Sequence, residues 1–150
     1  IISLIKEINP TINFIFTVSP VRHIKDGFIE NQQSKAHLIT ALHQIIKSHE
    51  NSFYFPSYEI MMDELRDYRF YKEDMIHPNN IAVNYIWEKF SENWLSNETL
   101  QTTEQIEKIQ KNLDHKPFNS ESLLHEKFIK STEQKIKKLQ EKLPHIFFNY

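Results

Sequence analysis

The 150 residues carry 20 acidic and 18 basic side chains for a formal charge of -2, and 39% of them are hydrophobic, with eleven Phe, six Tyr and two Trp. That apolar content supports a packed core and excludes wholesale disorder, while the near-neutral balance provides no long-range field to gather nucleic acid or an anionic membrane. The absence of cysteine removes disulfides, thiolate catalysis and cysteine-based zinc sites together, and one glycine is too few for a P-loop, a dinucleotide fingerprint or the G-x-S-x-G elbow.

The chain opens on IISLIKEINP, an amphipathic helical pattern with neither an initiator Met nor signal-peptide features, so it is expected to begin inside a domain. No apolar run reaches the roughly 18 residues of a membrane span. INFIFTVSP, from Ile12 to Val18 with Pro20 closing it, predicts a buried strand. A helix follows from about Asn31 to His49, with Ala36, Leu38, Ile39, Leu42, Ile45 and Ile46 apolar, and Ser52 to Phe55 gives a second strand. This alternation predicts a layered α/β fold with parallel strands. Two strands cannot cover both faces and both edges of such a sheet, so further strands are expected upstream. Ser57 is expected to cap a helix through Leu65. Pro78 fits the first position of another, running to about Leu95 with Ile81, Val83, Ile86, Trp87, Phe90 and Trp94 available for burial.

Beyond Asn97 the composition shifts, with nine Lys and eight acidic residues in the last 54 positions. Thr102 with Gln105 resembles a capping box, and Ser120 is expected to start a longer helix bearing Leu124, Phe128, Ile136, Leu139 and Leu143, stopped by Pro144. The chain thus divides into an α/β part over 1–96 and a helical extension over 97–150. The extension reads as an antiparallel hairpin or, alternatively, a coiled-coil arm, and offers a surface for homo-oligomerisation.

Chemistry concentrates in RFYKEDMIHPNNI, Arg69 to Ile81. Asp74 and His77 stand three apart, yet five Asp and eight His would place a D-x-x-H by chance in about one such chain in four, so context has to decide. Pro78 disfavours helical backbone at His77, which therefore stands outside the following helix and next to its cap, its ring free to reach a cleft. Asp74 is placed to accept one ring N–H and fix the tautomer, leaving the other nitrogen as a general base. The alternative is that Asp74 caps the turn and His77 is a plain loop residue. Arg22 and His23 follow the end of the first strand, where ligands of open parallel sheets gather, and are candidates for binding an anionic or polar part of a substrate or for simple loop charge. Ser19 is a poor nucleophile: no glycine beside it permits an elbow, and Pro20 has no N–H for an oxyanion. His37, His43 and His49 recur every six residues and do not share a helix face, so no metal site is read there. Metal-assisted hydrolysis through Asp74, His77 and His23 is the weaker alternative, and no cofactor or metal is expected. Arg66, Asp67, Tyr68 and Arg69 are expected to brace the loop carrying Asp74. FYFP and YRFY, without a basic stripe, read as packing, so neither nucleic acid nor a membrane is expected as a partner.

Three segments, FTVSPVRHIKDGFIENQQSKAHLITALHQI, FYFPSYEIMMDELRDYRFY and EDMIHPNNIAVNYIWEKF, resemble in order and spacing the C-terminal part of the GSCFA family, a bacterial group similar to SGNH-type (GDSL-like) hydrolases. The resemblance covers roughly Ile1 to Leu95 and leaves the remainder unmatched. It implies a flavodoxin-like three-layer α/β fold of which this chain holds the C-terminal portion. It also implies that the D-x-x-H block supplies two members of a triad, Asp74 as orienting acid and His77 as general base. The serine of that group lies in the namesake G-S-C-F-A motif, which this chain lacks, so the nucleophile is expected upstream and the 150 residues alone are expected to be inactive. The implied substrate is a small-molecule ester, an acylated carbohydrate among the options, handled by hydrolysis or acyl transfer. The alternative is a non-catalytic binding or scaffold module that associates through the helical tail. The compartment stays open, with the cytoplasm slightly favoured.

Overall fold

The computed structural model describes residues 1–116 and 122–148. Among them two short strands, β1 (Phe14–Phe16) and β2 (Ser52–Tyr54), pair in parallel, with Ile15 opposite Phe53 and Phe16 opposite Tyr54. Parallel strands need a long crossover, and a 21-residue helix supplies it. The helices in chain order are α1 (Ile2–Ile8), α2 (Phe28–Ser48), α3 (Ser57–Glu59), α4 (Asn80–Trp94), α5 (Asn97–Leu113) and α6 (Leu123–Lys142). The chain is thus mixed α/β and mostly helical. It divides into two compact units, 1–94 and 95–150.

In the first unit the two-residue period of β2 sends successive side chains to opposite faces. Tyr54 meets His43 of α2 at 4.9 Å between ring centroids, whereas Phe53 meets Trp94 and Phe55 meets Phe90, both on α4. α2 and α4 therefore cover opposite faces of the sheet. On the α4 side lies the core of Phe55, Ile60, Met61, Leu65, Tyr71 and Ala82. The strands end earlier than their apolar runs suggest, because past Phe16 the bonding passes to side chains: the Ser57 hydroxyl donates to the Val18 carbonyl at 2.8 Å and lies 2.6 Å from the Thr17 hydroxyl.

That use of Ser57 overturns its expected role as a helix cap. The expected helix to Leu65 is three residues of α3 followed by a π-helical turn over Ile60–Glu64, where the Leu65 N–H reaches back five residues to the Ile60 carbonyl. An α-turn would rotate residues five apart away from each other, and the π-turn lets Ile60 and Leu65 both face the core. α4 also begins later than expected. Asn79 is its cap, its Oδ1 accepting from the N–H groups of Ile81 and Ala82 at 3.1 Å each, so Pro78 precedes the cap instead of opening the helix.

In the second unit α5 starts at Asn97, with the Ser96 hydroxyl accepting from the Thr99 N–H at 3.1 Å. Thr102 sits within the helix and donates to the Glu98 carbonyl, so no capping box forms at Thr102 and Gln105. Ser120 lies outside the described residues, and Ser122 caps α6 by accepting from the His125 N–H. α5 and α6 run antiparallel: Asn112 bonds Thr132, His115 packs on Phe128, and Ile109 is buried with Ile136 and Leu139. No helix among the described residues is long and apolar enough to cross a membrane.

Candidate active site

Asp74 to His77 form a turn organised around one carboxylate. Asp74 Oδ1 accepts from the N–H groups of Ile76 and His77, both at 2.9 Å, and Oδ2 lies 2.8 Å from His77 Nδ1. The geometry is possible because Met75 adopts a left-handed backbone with φ of 59°, turning the following amides back onto the carboxylate. The turn is anchored on both sides. The Lys72 N–H donates to the His77 carbonyl at 2.8 Å, Tyr71 and Pro78 form an antiparallel bridge, and Asn79 Nδ2 donates to the Arg69 carbonyl at 2.6 Å.

The backbone N–H groups of His77 and Ile76, together with the His77 ring, hold the Asp74 carboxyl down at about 2. Asp74 is therefore ionised at neutral pH and can only accept, so the hydrogen between it and His77 belongs to Nδ1. In the neutral ring this leaves the lone pair on Nε2, the tautomer a general base requires. The side chains of His77 and Asp74 are 53% and 44% exposed, which leaves Nε2 open to an incoming group and makes the pair a weak contributor to stability.

A family model described as GSCFA family matches residues 1–90, a stretch that contains the whole turn. The chain belongs to the GSCFA family. A second model, described as GSCFA domain protein, C-terminal domain, matches residues 106–150 and carries the family likeness into the helical part that the sequence resemblance leaves unmatched. No curated protein and no solved structure matches the chain.

In this GSCFA chain Arg22 returns to the turn and His23 does not. The Arg22 N–H donates to the Ile76 carbonyl at 3.4 Å, its Nη2 donates to the Tyr71 hydroxyl at 3.2 Å, and its guanidinium carbon lies 4.7 Å from the Tyr71 ring centroid. His23 is exposed, and its backbone N–H donates to Asn31 Oδ1 at 3.0 Å. Among the described residues no group of three or more His, Asp or Glu converges, so Asp74, His77 and His23 do not form a metal site. Ser19 shapes the loop: its hydroxyl accepts from the Val21 N–H, and its carbonyl accepts from Lys35 Nζ at 2.6 Å. The expected brace takes a different form. Arg66 pairs with Asp63 and Arg69 with Asp67, both local and exposed, whereas Asn79 and Tyr71 hold the loop. Sequence reading missed both, although an Asn after X-Pro and before an apolar run is an N-cap signal.

Proposed function

We propose that this GSCFA chain is part of an SGNH-type serine hydrolase, acting as an esterase or acyltransferase on a small ester such as an acylated carbohydrate. His77 is the general base, Asp74 its orienting acid, and the serine nucleophile lies in a segment outside these 150 residues. The observation that carries this reading is the 2.8 Å contact between Asp74 Oδ2 and His77 Nδ1, with Oδ1 pinned by two backbone amides. A carboxylate held in this way fixes the ring and its tautomer together.

The chemistry follows from that tautomer. Nε2 takes the serine proton as Oγ attacks the ester carbonyl, and the imidazolium, steadied by Asp74, returns the proton to the leaving alkoxide; the acyl group then passes to water or to an acceptor hydroxyl by the same exchange. A flavodoxin-like three-layer fold is supported by parallel β1 and β2 with α2 and α4 on opposite faces. The test is a fluorophosphonate probe applied to the full-length protein. Labelling of the wild type that falls by roughly 10³-fold or more in His77→Ala supports the reading, and a folded full-length protein that is never labelled overturns it.

A further inference from the structure

Arg22 and Tyr71, whose backbones bond to the Asp–His turn and to Pro78 after it, also line a cavity of about 180 Å³ together with Met61, Leu65, Arg66 and Tyr68 among others. It is too small for a whole drug-sized ligand, whose pockets run to about 300 Å³ and more, but ample for one charged group. The charges around it are unevenly matched. Arg66 is paired with Asp63 at 3.1 Å, and Asp67, the carboxylate on the rim, is taken by Arg69 through its side chain at 3.0 Å and its backbone N–H at 2.8 Å. Arg22 has no carboxylate at ion-pair distance among the described residues; its polar side-chain partners are two neutral phenols, the Tyr71 hydroxyl at 3.2 Å and that of Tyr68. A guanidinium offers five N–H donors in a fixed fork, so most of them are unspent.

Arg22 is also held in place. Its guanidinium lies against two rings, 4.7 Å from the centroid of Tyr71 and 5.8 Å from that of Tyr68. Its loop is fixed from beneath by two buried side chains, Lys35 on the Ser19 carbonyl and Asn31 on the His23 N–H. Its own N–H joins the Ile76 carbonyl within the Asp74–His77 turn. A cation stacked on aromatic faces, preorganised, lined on one side by Met61 and Leu65 and left without a counter-charge is suited to a ligand oxyanion that accepts two of its N–H groups.

We infer that Arg22 anchors an oxyanion subsite adjoining the Asp74–His77 turn, and that the substrate carries a carboxylate or phosphate group that docks there. The assignment to a substrate rests on the hydrolase reading; anion binding itself is measured without turnover. The experiment adds acetate, phosphate or chloride to the full-length protein and follows by NMR the Arg22 side-chain Nε–H signal in the wild type and the Tyr71 and Ile76 backbone N–H signals in the wild type and every variant. The expected result is a saturable shift with acetate or with phosphate that chloride does not reproduce, weakened at least about tenfold in overall binding by Arg22→Gln and retained in Arg66→Gln. Saturation by acetate alone assigns a carboxylate, and saturation by phosphate assigns a phosphate. Arg22→Lys keeps the charge without the fork and is expected to weaken binding while leaving the fold intact, which covers the case of an unfolded Arg22→Gln. No saturable shift, a shift that chloride matches, or wild-type affinity in either Arg22 variant overturns the subsite. Anion binding that persists in a protein no fluorophosphonate labels would keep the subsite and overturn the hydrolase.

Discussion

At Met75 the chain takes a left-handed backbone that a residue with a Cβ adopts at a cost of about 1–2 kcal/mol, and the result is two amides turned onto one carboxylate oxygen with the other left for the His77 ring. Asp74→Asn tests what that arrangement does. Its amide oxygen keeps both backbone bonds, so the NH₂ group faces Nδ1, which must then accept, and the ring proton moves to Nε2. ¹⁵N NMR is expected to show Nδ1–H in the wild type and Nε2–H in the variant, with fluorophosphonate labelling of the full-length protein down by roughly 10⁴-fold; an unchanged tautomer would remove the basis of the orienting role. Acid gives a second test. The folded carboxyl titrates at about 2, below the ordinary 3.8, so its contribution to stability is complete above about pH 4 and disappears as pH falls through about 2. The Asp74 carboxyl carbon should titrate near 2, and because the group is exposed Asp74→Asn should remove only a small part of the stability lost across that window. The spacing left open whether Asp74 caps the turn or meets the His77 ring, and Asp74 does both, Oδ1 taking the two amides and Oδ2 the ring. The left-handed Met75 was not legible, since nothing in a Met side chain announces positive φ.

The elements divide in the same way. β1, β2, α2 and α4 were legible as elements from their apolar runs and periods, but the burial expected of them was not: Ile15, Leu38, Ile81, Val83 and Trp87 are exposed, whereas the buried positions are Asn31 and Lys35 on α2 and Ala82 and Ser91 on α4. Caps were not legible either, because a Ser or Asn hydrogen-bonds whatever the tertiary structure brings near it. Ser57 leaves the helix start for the Val18 carbonyl, 39 residues away, and Asn79 takes the cap expected next to Pro78. The π-turn was equally hidden: it answers a packing demand, that Ile60 and Leu65 share one core, which exists only once α4 lies across the sheet. Met61 sits at the centre of that core with 0% exposure. Met61→Ala should therefore lower unfolding stability by about 2–5 kcal/mol, read by denaturant melts of the full-length protein, whereas a surface-like loss below about 0.5 kcal/mol would mean the core is not packed as described.

At the scale of the molecule both outer edges of the two-stranded sheet lack a strand among the described residues, and the β1 edge lies beside an apolar groove. Phe14 and Phe16 direct their backbone groups to β2, the Phe14 N–H reaching the Asn51 carbonyl and the Phe16 carbonyl accepting from the Phe55 N–H. The amide and carbonyl of Ile15 therefore turn to the opposite edge, where no strand pairs among the described residues. Next to that edge runs an apolar groove of about 450 Å³ between the sheet and α4, lined by Ile15, Thr17, Phe55, Val83, Ile86 and Trp87 among others. Ile15, Val83 and Trp87 are each at least 41% exposed. An open parallel edge beside exposed apolar side chains is the combination that recruits another strand, from the same chain or from a neighbour. Residues 1–150 prepared alone should accordingly associate with rising concentration in analytical ultracentrifugation and hydrolyse esters no faster than buffer. Ile15→Lys places a charge on the free edge and should shift the population towards monomer. A wild-type fragment that stays monomeric at every concentration would mean the edge and groove need no cover. If that monomer also showed His77-dependent ester turnover, the nucleophile would have to lie within these 150 residues after all.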